Sequence, residues 1–226
     1  DGNGQTVAIL QLGVDTDEDL AVFDAAFGLS GPRPERIAIG DGLVGAPDDF
    51  ATEAALDTQV VRAAAPGARI LVYGMSRFES LATGIDAIVA DGRASIVSLS
   101  YGKCLLPGEY ILQDEVDAGT LSFAAAAAAG VSIFASAGDT GAYTCHMFEP
   151  AEQRPTVTWP SCAGEVISVG GTFLETRDDG SWLRETGWQD YLVTGGGGGG
   201  INPVEPRRAW QTGAGLGDPS GMLRVC

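Results

Sequence analysis

Lysine and histidine are almost missing from this chain: Lys103 is its only lysine and His146 its only histidine. With 13 basic against 30 acidic residues the net charge is −17. That argues against nucleic acid and anionic lipid as partners, since both need clustered Lys and Arg. No apolar run of about 18 residues occurs, so no membrane span is expected. The start, Asp1-Gly-Asn-Gly-Gln5, has no basic region followed by an apolar stretch. The expectation is a secreted chain whose signal peptide has been removed. Cys104, Cys145, Cys162 and Cys226 contain no CxxC spacing, which disfavours zinc. The run Gly195–Gly200 lacks the Lys and Ser or Thr that a phosphate loop requires. A Ser-His-Asp triad would have to use His146, which lies beside Cys145 without any matching local motif.

What is present suits a compact globule. At 226 residues, 45% hydrophobic and 19% charged, the chain is expected to form a single α/β domain over 1–226. A carboxylate-rich surface loses self-repulsion at low pH, which fits an acidic environment, although solubility alone accounts for the charge equally well. Four cysteines allow three pairings. Cys104 and Cys145 both follow predicted strand ends, in loops on one edge of a parallel sheet. The pairing Cys104–Cys145 is therefore expected, with Cys162 and Cys226 as a second pair and buried free thiols as the alternative. Disulfides would place the chain outside the cell.

Apolar runs predict strands at 6–12, 36–39, 69–73, 94–100, 131–135 and 165–169. Helical patterns fall between them, at 17–27, from Asp48 or Asp49 to Ala65, at 77–91 and at 109–129. Strands alternating with helices mean right-handed crossovers and a doubly wound, mostly parallel sheet with helices on both faces. Beyond residue 172 the pattern dissolves into aromatic and glycine-rich segments.

Three acids stand out. Glu53 and Asp57, four positions apart on a predicted helix, share one face. Two close carboxylates do not both ionise cheaply, so one keeps its proton and serves acid–base chemistry. A solvated acidic face explains the pair equally well from spacing alone. Asp139 ends the strand Val131–Ala135 among glycines, where open sheets place ligands. An Asp capping a turn is the competing explanation. Three acids and almost no histidine point to acid chemistry.

Several segments together resemble the sedolisin family of serine-carboxyl peptidases (peptidase family S53). They are Gly4-Gln-Thr-Val-Ala-Ile-Leu10, Glu53-Ala-Ala-Leu-Asp57, Ala64-Ala-Pro66-Gly-Ala68, Ser98-Leu-Ser100-Tyr-Gly102 and Phe134-Ala-Ser-Ala-Gly-Asp139-Thr-Gly141. Trp159-Pro160, Val166-Ile-Ser-Val-Gly170-Gly-Thr172 and the glycine run followed by Trp210-Gln211 complete the order. The resemblance implies a subtilisin-like fold and peptide or protein substrates. Glu53 would be the general base to a serine, Asp57 would orient Glu53, and Asp139 would donate a hydrogen bond to the oxyanion. Ser100, Tyr101, Gly102 and Ser136 would line the substrate.

The chain departs from the family's pattern at one decisive place. The nucleophile's Gly-Thr-Ser motif is absent: Gly171-Thr172 is followed by Phe173, and Ser220 stands in a different context. The family's calcium loop, also C-terminal, is absent, so calcium is expected for the complete enzyme and no metal in this segment. The expectation is a catalytic domain, freed of its propeptide and incomplete at its C-terminus. Its remainder would belong to a second chain or to a continuation of this one. A peptide-binding relative without catalysis and an α/β nucleotide-binding domain are the rival readings.

Overall fold

The computed structural model describes residues 1–13, 15–42, 50–76, 79–106, 111, 113–147, 151–152, 154–190, 195–212 and 222–225. The chain divides into two compact units, one of residues 1–100 and 117–134, the other of residues 101–116 and 135–226.

The first unit begins with β1 (Thr6–Gln11), α1 (Asp17–Phe27), β2 (Glu35–Ile39) and α2 (Ala51–Ala64). It continues with β3 (Arg69–Met75), α3 (Leu81–Asp91) and β4 (Ile96–Leu99). The short β5 (Lys103–Cys104) belongs to the second unit, while α4 (Gln113–Ala128) and β6 (Ser132–Ser136) each have residues in both units. β1 lies parallel to β3, in register from Thr6 opposite Arg69 to Gln11 opposite Gly74. β4 joins β1, and β2 joins β3, both in parallel. The β-branched and leucine-rich runs explain this choice, because strands covered on both faces read as continuous apolar segments. Ile9, Ile70 and Val72 form a fully buried cluster against which Val61 of α2 packs. Truncating any of these isoleucines to alanine costs about 2–5 kcal/mol.

Helix ends follow local chemistry. The Thr16 side chain caps α1 by accepting from the Asp19 N–H, and Gly28, with φ 64°, ends it in the left-handed region. α3 was expected from residue 77 but begins at Leu81, because Ser80 is extended and its hydroxyl accepts from the Thr83 N–H. α2 has Phe50 at its N-cap without a side-chain cap; the expected caps, Asp48 and Asp49, lie outside the described residues. α2 stops before Pro66, whose ring disfavours helical backbone in the residue ahead of it.

The second unit holds β7 (Thr158–Trp159), β8 (Val166–Val169), β9 (Thr172–Thr176), β10 (Trp182–Gly187), β11 (Gln189–Asp190), β12 (Gly195–Gly196), β13 (Gly200–Pro206) and β14 (Met222–Val225). Here the sequence reading needs correction. The segment beyond residue 172 is ordered into antiparallel pairs, β9 with β10, β11 with β12 and β13 with β14. Most residues of the β9–β10 hairpin are exposed on both faces, so the alternating pattern that betrays a half-buried strand is missing. β5 pairs with β7, and the expected disulfide Cys104–Cys145 is formed, with Cα atoms 4.9 Å apart. Cys162 is buried, and burial pushes its thiol up. Its expected partner Cys226 lies outside the described residues.

The strands of the main sheet that begin in the first unit follow the order β2-β3-β1-β4-β6. The chain therefore winds to one side of β1 and then to the other, as expected. α2 packs on β1 and β3, and α3 on β1, β2 and β3.

Candidate active site

In the first unit, α2 carries Glu53 and Asp57 on adjoining turns. Glu53 is exposed, whereas Asp57 is only 9% exposed. The Ser100 hydroxyl, just past β4, donates to Asp57 Oδ1 at 2.6 Å. Burial pushes the Asp57 carboxyl up to about 6. The Ser100 hydrogen bond opposes that rise, and the carboxylates of Glu53 and Asp15 add to it. A carboxyl in this state gains and releases a proton in mildly acid solution.

Beneath this helix lies a charged support that sequence reasoning missed. Asp15, 3% exposed, receives a fork of hydrogen bonds from Arg36, at 3.2 Å to Oδ1 and 3.0 Å to Oδ2. The Gln11 side-chain amide reaches both Asp15 Oδ1 and the Gly13 carbonyl at 3.2 Å. A Cβ on Gly13 would strike the Phe50 carbonyl and stand 3.0 Å from the Ala51 nitrogen. The first turn of α2 therefore rests on this loop, and only glycine permits the approach. The signal in the sequence was an acid and an arginine far apart in order, Asp15 and Arg36, each on a separate strand end; nothing local pairs them.

In the second unit, Asp139 follows β6 on a segment fixed by backbone bonds. The Gly196 N–H donates to the Asp139 carbonyl at 2.7 Å, Gly141 donates to the Gly196 carbonyl at 3.0 Å, and Gly198 donates to the Gly138 carbonyl at 2.9 Å. Gly138 has φ 107°, and a Cβ there would strike the Thr158 hydroxyl. The side chain of Asp139 itself is exposed. The turn after it is closed by Thr140, whose hydroxyl donates to the Tyr143 carbonyl at 3.1 Å.

The other expected substrate residues of this unit sit close to β5 and β6. Tyr101 is half-buried, and burial raises its hydroxyl, with Lys103 pulling the other way. Lys103 stands 6.0 Å from the Tyr101 ring centre and is paired with Glu115 at 2.6 Å. A Cβ on Gly102 would strike the Thr158 methyl, so this position also tolerates glycine alone. Ser136 is half-buried at the end of β6. Thus Glu53, Asp57 and Ser100 belong to one unit, and Tyr101, Gly102, Ser136 and Asp139 to the other.

A cleft of about 510 Å³ opens beside the Asp139 segment, lined by Thr140, Gly141, Trp188, Asp190 and the glycines of β12 among others. Trp188 and Asp190 were not singled out from the sequence. Their two-residue spacing just before the glycine run was the available signal. Among the described residues no group of three His, Cys, Asp or Glu side chains is placed to hold a metal ion.

Comparison with known proteins gives a consistent result. The subtilase family model (Peptidase S8) matches residues 43–188. Kumamolisin from Bacillus sp. (strain MN-32) is 34% identical over 221 residues, covering 93% of this chain. Sedolisin from Pseudomonas sp. (strain 101) is 32% identical over 230 residues, covering 92% of it. The chain spans 38% of the length of each of these curated relatives. Among solved structures, Pseudomonas sedolisin, a serine-carboxyl proteinase complexed with two molecules of pseudo-iodotyrostatin, superposes with a TM-score of 0.79 at 27% identity. That match covers 98% of this chain and 63% of the other. A lanthipeptide protease, at TM-score 0.52 and 22% identity over 75% of this chain and 49% of its own, shares the fold.

Proposed function

Because this chain belongs to the subtilase family, in its sedolisin branch, we propose that the complete protein is a serine-carboxyl endopeptidase acting on peptides in acid. The observation that carries the reading is Asp57: buried, hydrogen-bonded by Ser100 and pushed up to about 6, four residues from an exposed Glu53.

In this reading Glu53 is the general base. It takes the proton of a serine hydroxyl as that oxygen attacks the scissile carbonyl, then returns the proton to the leaving amine. Asp57 holds and orients Glu53. Asp139, protonated at acid pH, donates a hydrogen bond to the oxyanion, a contribution whose loss typically costs about 10² to 10³ in rate. The backbone of Ser100, Tyr101 and Gly102 pairs with the substrate as an added strand, with Ser136 beside it. The 226 residues contain no Gly-Thr-Ser, so the nucleophile comes from a segment of the complete protein outside them. Calcium, by the same reasoning, is held outside this segment, and no step here uses it. The disulfide and the net charge of −17 support secretion into an acid medium.

Glu53→Gln in the complete protein tests this directly. Loss of peptide hydrolysis by about 10⁴-fold or more is expected, since removal of a triad base is that damaging in related chemistry. Hydrolysis within tenfold of the parent would remove Glu53 from the mechanism. A protein that binds peptides yet never cleaves them would favour the peptide-binding alternative.

A further inference from the structure

The cleft beside the Asp139 segment has a definite chemistry. Asp190 ends β11, and Trp188 immediately precedes that strand. Both are half-buried and both line the cleft. Trp188 is held at its backbone on two sides: its N–H donates to the Gly171 carbonyl at 2.9 Å, and its carbonyl accepts from Gly197 at 3.1 Å. Gly195 and Gly196 of β12 and the following Gly197 also line the cleft. Among the described residues that line the cleft there is no lysine or arginine, and the whole chain carries −17. An indole and a carboxylate in a chain of net negative charge attract a guanidinium or ammonium group.

The cleft is also tied to the reacting centre. Thr140, on its rim, directly follows Asp139, and Gly196, in its wall, donates to the Asp139 carbonyl at 2.7 Å. An extended peptide advances about 3.3–3.6 Å per residue. A side chain entering here therefore belongs to a residue within a few positions of the cleaved bond.

We propose that the cleft formed by Trp188, Asp190 and the glycines of β12 is a specificity subsite that takes the arginine or lysine side chain of a peptide substrate. This rests on the peptidase reading for its distance from the cleaved bond, but not for its chemistry.

The test uses the complete protein and a positional-scanning peptide library. At one position near the cleaved bond, arginine and lysine should exceed leucine and glutamate by about tenfold or more in kcat/KM. Asp190→Asn should erase that ratio, and Asp190→Arg should turn it towards aspartate and glutamate. A flat profile at every position, or a profile untouched by both variants, overturns the proposal. Binding is read separately, in the Glu53→Gln protein, from the Trp188 indole N–H resonance during titration with N-acetyl-arginine amide. A saturable shift that Asp190→Asn abolishes supports the subsite even if no peptide is ever cleaved, which would sink the peptidase reading alone. A silent indole in a protein that does cleave peptides sinks the subsite and spares the enzyme.

Discussion

Asp57 and Asp139, the two aspartates in the proposed chemistry, are built in opposite ways. Asp57 sits inside a helix, is 9% exposed and owes its raised proton affinity to burial. Asp139 is exposed, and what is fixed there is the backbone, through three hydrogen bonds between the Gly138–Gly141 segment and the Gly196–Gly198 segment. The first unit tunes a side chain by its surroundings. The second positions a side chain by rigid backbone and leaves it open to solvent. An acid that must orient a base gains from low dielectric, whereas an acid that must meet a developing oxyanion has to face the place where substrate lies.

The largest break in that comparison comes from Asp57→Asn. The amide keeps an oxygen for the Ser100 hydroxyl but never carries charge, so hydrolysis by the complete protein should fall by about 10³-fold or more. Stability should move the other way. The folded state holds the Asp57 proton up to about 6, against 3.8 ordinarily. Between those values the unfolded chain releases a proton that the folded one keeps, so stability falls as pH rises and the whole penalty, on the order of 3 kcal/mol, is present above about 6. Asp57→Asn removes it. In urea melts the variant should gain stability over the parent at about pH 8 and show little gain at about pH 4. A variant no more stable than the parent at the higher pH would mean that Asp57 is not held protonated by burial.

At the other acid the backbone is the target. Gly138 adopts φ 107°, where L side chains are strained, and any Cβ meets the Thr158 hydroxyl. Gly138→Ala should cost about 1–3 kcal/mol and lower kcat by about 10²-fold through displacement of Asp139, with KM moving much less. An equal loss in a Thr158→Ala background would assign the damage to φ alone. Recovery there would assign it to the contact.

How much of this was legible follows the same division. The strands of the first unit could be read because Ala8-Ile9-Leu10 and Ile70-Leu71-Val72 are continuous apolar runs, and the Glu53–Asp57 spacing lies within one helix. The ion pair of Asp15 with Arg36 could not, since residues 21 positions apart meet only once β1 and β2 are both placed by β3. In the second unit Gly102 and Gly138 were visible as letters, but the Thr158 side chain that makes each of them necessary arrives from β7. The β9–β10 hairpin escaped for a different reason: Phe173, Leu174, Trp182 and Leu183 are all exposed, so apolar residues there do not mark an inner face.

Ser100→Ala sharpens the comparison with the smallest effect on rate. Ser100 was chosen from the sequence for its backbone, as part of a strand that would meet substrate, yet its side chain turns to Asp57 at 2.6 Å. That hydrogen bond favours the ionised carboxylate and so opposes burial. Without it the Asp57 proton should be held to still higher pH, and the acid limb of the pH–rate profile should move upward with it. Stability should be lost mainly above about pH 6, by about 1.5–3 kcal/mol, because only the charged form depends on this donor. At about pH 4, where Asp57 is protonated in the parent as well, the loss should be smaller. A deficit equal at both pH values would mean that Ser100 serves packing alone, and that burial by itself sets the Asp57 proton.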